Sequence, residues 1–562
     1  MRRGWIAAGV VVATAGGVGL MVVGPTEVTK MVDTLLSEPV TVTDDTRASE
    51  RPGATRVVLL AFDGVGEENL ERALRDGRMP RFAEVVGLHG GRMNRAFAVP
   101  DVLSILPSTT IAAWASVYTG VGVGEHGIAG NEQFNRETAF FAAPAPVSVS
   151  SIEHMLEAYN GSFVDDMLQA PTMFEQLPDA RSHVSLSPIH RGADVYSIPT
   201  GLDAAPIFQG FVDGAVEDDD DAARKKAAAA LDGGALDTLL RAIDEHGVPD
   251  LQVAYFPGID LFTHVAHEPL AKQRDYLSAV VDPAIGTLVD RWRAEGEWEH
   301  TWMIVVSDHG HTPVLDDDSH SLSVEGGDEP GAVLEQAGFE PRPLGIGEVK
   351  GSASAVVAYQ GAFAYIHLAD RSACLPDCDW ARPPRFEEDV MVVARAFFEA
   401  NENGTGVSEL EGTLDMVLVR RPRPTGEPCE PFGVFDGQEL VSLGDYLDAH
   451  PRPDLLAFES RLRRLATGPF GHRAGDVLLM AQSGEDVPIE ERYYFSGPYR
   501  SWHGSAKASD SRVPLVIAHG SYGTEKVKTI AQRFLPRPED GWRSQRDVTP
   551  LVVGLLSTPR EE

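Results

Sequence analysis

The stretch TWMIVVSDHGH at 301–311 decides how this chain folds. Six apolar or β-branched residues run without a polar break and give way at once to Ser-Asp-His-Gly. A strand buried on both faces reads this way, because helices cover each side of a parallel sheet and no position alternates into water. Three further runs share the character: VVLLAFD at 57–63, LQVAYFPGID at 251–260 and VPLVIAHG at 513–520. Such strands alternating with helical stretches predict an α/β class, a mostly parallel sheet sandwiched by helices. An open sheet of this kind gathers ligands at the carboxyl ends of its strands. Asp63, Asp260, His264, Asp308 and His309 stand at or just beyond such ends, and His503 shortly precedes the last run. Carboxylates and imidazoles far apart in the chain are therefore expected to share one crevice.

Each residue has a plain structural reading beside the chemical one. Asp63 precedes Gly64, which allows a sharp turn and close approach to an ion. Asp260 and His264 are four apart in DLFTH, so one helical turn puts them on the same face, suited to one metal. Asp308 and His309 directly follow a buried run and must meet something polar. His311 and His267 are further candidates by composition alone, and His503, in WHGS, could equally be a hydrogen-bonded histidine. In LPSTTIAAW at 106–114 three hydroxyls, Ser108, Thr109 and Thr110, enter a small-residue helix. A hydroxyl there can cap the helix or hold a phosphoryl group against free backbone N–H groups. The residues alone leave that choice open.

Composition excludes other classes. The 562 residues are 43% hydrophobic and 23% charged, ordinary for a folded protein with a large core. With 48 basic against 84 acidic residues the net charge is −36. No basic stripe offers phosphate contacts, so a nucleic-acid polymer is excluded as partner and a small molecule is expected. The amino terminus, MRRGWIAAGVVVATAGGVGLMVV, has two arginines before an uncharged apolar stretch. It reads as a signal peptide or a membrane anchor over 1–23, with retention favoured because the apolar run continues past Ala13-Thr14-Ala15. The polar stretch 24–54 reads as a linker. An exported protein, periplasmic or extracellular, follows, and there a disulfide between Cys374 and Cys378 is the expected use of that pair. Cys429 has no assigned role.

The catalytic core is expected in two parts, 55–335 and 475–562, around an insertion or cap at 336–474 with Pro-rich stretches and strand candidates AVVAYQG, FAYIHLA and MVLVRR. GDVLLMAQ at 475–482 reads as the return to the sheet. The acidic run at 217–221 reads as a solvated loop leading into a helix rather than a metal cluster. Trp114, Phe134 and Tyr494 are aromatic candidates for holding a base or leaving group, with core packing the better reading of each.

Taken together, FDG at 62–64, PSTT with the later TG and EHGI, DxxxH at 260–264, SDHG at 307–310 and HGS at 503–505 resemble the alkaline phosphatase superfamily, in its type I phosphodiesterase/nucleotide pyrophosphatase branch. The resemblance covers roughly 55–335 and 475–520 in order. It implies an alkaline-phosphatase-like fold and two zinc ions, or other divalent metals. Asp260, His264 and His503 would hold one ion; Asp63, Asp308 and His309 would hold the second, with Thr110 as the nucleophile beside it. Asn131 aligns with the asparagine that binds a nonbridging phosphoryl oxygen. The implied reaction is hydrolysis of phosphodiester or pyrophosphate bonds through a covalent phosphothreonine. A phosphomonoesterase or a phosphoryl or phosphoethanolamine transferase of the same superfamily is the first alternative. Thr110-Ile-Ala-Ala-Trp offers no cation beside the nucleophile, which favours diesters. A non-catalytic metal-binding module is the second alternative.

Overall fold

The computed structural model of the protein describes residues 54–145, 147, 163–198, 221–323, 329–343, 345–374, 376–424 and 427–558. The expected signal or anchor at 1–23, the linker up to residue 53 and the acidic run up to residue 220 lie outside them. Asp221, the last residue of that run, opens the helix Asp221–His246. Among the described residues no helix is long and apolar enough to cross a membrane.

The four apolar runs form neighbouring strands of one seven-stranded sheet. Arg56–Phe62 lies in the middle, parallel to Leu251–Phe256 on one side and to Thr301–Ser307 on the other. Ser182–Ser185 and Val195–Ser197 continue the parallel set beyond Leu251–Phe256. Leu515–His519 runs antiparallel to Thr301–Ser307 and is followed at the edge by Ala96–Ala98. The unbroken hydrophobicity of the central strand has the expected cause. Val57, Leu59 and Ala61 enter one core cluster, and Val58, Leu60 and Phe62 enter another. Successive side chains point to opposite faces, so both faces are dry and each buried aliphatic side chain contributes about 1.5–3 kcal/mol.

Residues 355–481 build a second, six-stranded sheet, in which Ala355–Tyr359, Phe363–Leu368 and Leu414–Val419 match the three strand candidates. One expectation is corrected here. The stretch 475–482 does not return to the parallel sheet: Val477–Ala481 pairs antiparallel with Phe363–Leu368 and Leu414–Val419 in the middle of the second sheet. An apolar run bounded by Gly475 and Ser483 carries no mark of which sheet it joins, and the chain regains the parallel sheet only at Leu515. Cys374 and Cys378 form the expected disulfide.

The helix Thr110–Thr119 follows an extended Thr109 and ends at Gly120, whose φ of 78° is the left-handed conformation that glycine adopts without strain. All ten of its residues are buried. Its alanines explain how it can be: Ala112 and Ala113 pack into a cluster with Phe363 and Tyr365 of the insertion sheet, while Ile111, Trp114 and Ala115 pack into the parallel-sheet core. The helix is thus wedged between the two sheets.

Candidate metal centre and nucleophile

Strand register brings the acidic residues together. Phe62 pairs with Phe256 on one side and Ser307 on the other, so the next residues, Asp63 and Asp308, leave adjacent strands side by side. Leu251–Phe256 runs on through Pro257 into the helix Gly258–Val265, which carries Asp260 and His264 one turn apart, Nε2 to Oδ2 at 3.3 Å. Gly64 has φ 71°, and a Cβ there would lie 2.5 Å from His311 Nε2 and 2.8 Å from Asp260 Oδ1. No side chain fits at that turn, which is why the FDG run needs its glycine.

Hydrogen bonds divide the carboxylates of Asp63 and Asp308 each into a held oxygen and a bare one. Asp308 Oδ1 accepts from the backbone N–H groups of Gly64 and His309, each at 2.9 Å. Asp63 Oδ2 accepts from the Tyr255 hydroxyl. Asp63 Oδ1 and Asp308 Oδ2 are buried with no hydrogen-bond partner among the described residues. Buried acceptors left in this state cost about 1–3 kcal/mol or more each, a cost that a bound cation removes. Burial, reinforced by the charge of Asp308, raises the Asp63 carboxyl well above the usual range. Burial pushes Asp260 the same way, but His264 and His311 overcome it and hold that carboxyl well below the ordinary value.

The imidazoles are oriented with equal definition. His264 Nδ1 faces Ser501 O at 2.8 Å, His309 Nδ1 faces Gly310 O at 3.0 Å, and His503 Nδ1 faces Ser108 O at 3.0 Å. A carbonyl only accepts, so each Nδ1 carries the proton and each Nε2 keeps its lone pair, the tautomer a metal ligand needs. Burial lowers the pKa of His309 and, with the help of neighbouring His309, depresses that of His503 strongly. Three sets of ligand atoms lie within 4.8 Å of one another: Asp63–Asp308–His309, Asp260–His309–His503 and Asp260–His264–His311. The residues present therefore fit divalent cations. The first set is the one the sequence pattern pairs. Around Asp260 the structure adds His311, whose Nε2 is 2.9 Å from Oδ1, to His264 and His503. His267 stands apart, exposed and paired with Asp221.

Only one of the three hydroxyls faces this cluster. Ser108 Oγ donates to Ser505 O at 2.8 Å, and Thr109, although the cap residue, makes no side-chain capping bond. Thr110 Oγ1 lies 3.2 Å from His309 Nε2. Asn131 is tied to the same helix end, its Oδ1 accepting from Ile111 N at 3.1 Å. That bond fixes which end of the amide is the acceptor and leaves the Nδ2 hydrogens to donate.

Sequence reasoning missed the supports of the site. Tyr255 and Ser501 gave no signal beyond standing near candidate residues. The insertion reaches in as well, through Gln360, Gly361 and Ala362 between its first two strands. Gln360 Oε1 accepts from Asn131 N at 2.8 Å, and Ala362 N donates to His503 O at 3.2 Å. Trp114, Phe134 and Tyr494 are fully buried, so core packing is their use.

Comparison with known proteins agrees with this geometry. Residues 57–326 match the family described as type I phosphodiesterase / nucleotide pyrophosphatase. Over that stretch, just under half of its length, the chain is similar to this family. Among solved structures the chain is similar to wild-type alkaline phosphatase PafA, at 14% identity and TM-score 0.54, with 90% of this chain and 96% of that one covered. It is also similar to murine ectonucleotide pyrophosphatase / phosphodiesterase 5, at 13% identity and TM-score 0.49 over 90% and 95% of the two chains. The first of these likenesses shows the shared fold. No curated protein matches in sequence. The family match supports phosphoester hydrolysis as the class of reaction, with divalent metal use implied.

Proposed function

We propose that the protein hydrolyses phosphodiester or pyrophosphate bonds of small molecules, with Thr110 as the nucleophile and a phosphothreonine between two half-reactions. The observation that carries this is the placement of Thr110 Oγ1 at the first position of a buried helix, 3.2 Å from His309 Nε2 and beside the paired carboxylates. Asp63, Asp308 and His309 fit one zinc ion with Thr110 next to it, and Asp260, His264 and His503 fit the other. When bound, the pair supplies positive charge that favours the Thr110 alkoxide and the departing oxygen.

The remaining work falls to the chain. Thr110 Oγ attacks phosphorus as the bond to the leaving oxygen breaks; water then attacks the same phosphorus and returns Thr110. The helix amino terminus gives the phosphoryl group a favourable dipole. Asn131 Nδ2 donates to a nonbridging oxygen as charge grows there. The absence of arginine or lysine from 107–114 supports diesters over monoesters. The apolar amino terminus supports an exported location with a retained anchor.

The test is purified protein of measured metal content, assayed in parallel on a generic phosphodiester, a phosphomonoester and a sulfate ester. Diester turnover should dominate, with two zinc equivalents per chain. Dominant monoester turnover would overturn the diesterase assignment, and bound metal without any turnover would favour a binding module.

A further inference from the structure

Behind the segment that leads to Thr110 lies a cleft open to solvent. One wall is Leu103–Leu106, another is the helix Phe458–Ala466, and the rim comes from residues 536–547. Five arginines line it, Arg461, Arg464, Arg537, Arg543 and Arg546, against two carboxylates, Glu539 and Asp547. In a chain with a net charge of −36 this is a local reversal of sign.

Arg461 is the innermost of these groups and only 5% exposed. Its Nη1 donates to Leu456 O, and its Nη2 to Ile105 O and Ser511 Oγ. Its Nε is buried with no hydrogen-bond partner among the described residues. Every acceptor it has is neutral. The rim carboxylates are outnumbered and none of their ion pairs reaches Arg461: Glu539 is shared by Arg464, with which it pairs, and Arg546, 3.6 Å away, while Asp547 lies 3.9 Å from Arg543. The nearby Asp510 accepts from Ser505 N and Thr312 Oγ1. Burial, with Arg464 adding to it, pushes the Arg461 pKa down to about 9; burial and Arg546 push Arg464 down to about 10. A guanidinium buried without an anionic partner is costly, and clustered guanidinium groups compound that cost unless an anion joins them.

We propose that this cleft is a binding site for a phosphate-class oxyanion, held by Arg461 from within and by Arg464 and Arg546 at the rim, separate from the metal centre. A tetrahedral dianion suits it because several guanidinium forks can each engage a different oxygen. The ligand is either free phosphate or the phosphate end of an organic molecule, for which Trp542 and Pro536 supply apolar lining. The proposal does not depend on the reaction assigned to Thr110.

The test is calorimetric titration of the metal-loaded full chain with inorganic phosphate, beside the same titration of Arg464→Gln, Arg546→Gln and the double variant. Each single variant should weaken one class of site by about ten-fold and the double variant should remove it. Turnover without added phosphate and the melting temperature should stay at wild-type values. A parallel titration of Asp308→Asn should keep this class of site. Phosphate binding that is unchanged in the double variant, or that disappears entirely in Asp308→Asn, overturns the proposal. Phenylphosphonate forms a second arm: tighter binding than phosphate assigns the site to an organic ligand, and equal or weaker binding assigns it to the free ion. Arg461→Lys adds a check from inside the cleft, since it should weaken phosphate while Asp308→Asn does not.

Discussion

His311 Nε2 lies 2.9 Å from Asp260 Oδ1, nearer to that carboxylate than His264 or His503 comes. The other side of the ring meets Ser501 Oγ, 3.1 Å from His311 Nδ1. His311 thereby holds Asp260 from behind while His264 and His503 face it. His311→Ala should lower the affinity for the metal at Asp260 by about 10–100-fold, as loss of a group that orients a ligand does. Competition against a chelator of known affinity reads this directly, and the second metal should be held as before.

Ser108, Thr109 and Thr110 are adjacent hydroxyls with three different surroundings, so substitution separates them. Thr110→Ala should lower turnover by about 10³-fold or more, with both metals still bound. Thr109→Ala should change turnover by less than about three-fold, because its buried Oγ1 has no hydrogen-bond partner among the described residues. Ser108→Ala should cost stability instead, about 1 kcal/mol for its bond to Ser505 O. Steady-state rates together with metal analysis of the three proteins test the assignment.

Gln360 makes the insertion part of the site. Its Oε1 holds the Asn131 backbone and its Nε2 donates to Glu132 O. Gln360→Ala should lower kcat by about ten-fold through loosened Asn131, with a smaller effect on KM, since the asparagine acts where charge develops. Asn131→Ala should do the same, and the double variant should be no worse than the more damaged single one. Additive losses would show that Gln360 acts elsewhere.

The catalytic half of the fold was legible because its signals are local. A dry strand has to be hydrophobic throughout, and the residue after it must turn polar, so VVLLAFD and TWMIVVSDHGH announce both the sheet and the candidate ligands at the ends of its strands. The DLFTH spacing announces a helical turn for the same reason. Val477–Ala481 shows where local signals end: its pattern fits either sheet, and pairing is decided by contacts remote in sequence. Tyr255 and Gln360 were hidden for a related reason. Each reads as an ordinary strand or turn residue, and its use appears only once Asp63 or Asn131 arrives beside it.

Asp232 carries a prediction about pH that is independent of the metals. Its Oδ1 accepts from Gly258 N and its Oδ2 from the Tyr276 hydroxyl, both at 2.8 Å, so it supports the helix that presents Asp260 and His264. Burial raises its pKa to about 7, against 3.8 for a free carboxyl. A group whose folded pKa is raised stabilises fully below the unfolded value, and that contribution is lost as pH rises through the folded value. Between about pH 4 and pH 7 the folded protein therefore forfeits on the order of 3 kcal/mol at this one residue. Asp232→Asn cannot ionise, keeps an acceptor for Gly258 N and lets the Tyr276 hydroxyl accept from its amide. Thermal melts at about pH 5 and about pH 8 should show the wild type losing several degrees more than the variant. Asp510 and Asp547, raised by burial to about 6, leave a residual slope of the same sign in both proteins. Equal slopes in the two proteins would show that Asp232 does not lose its proton across this range.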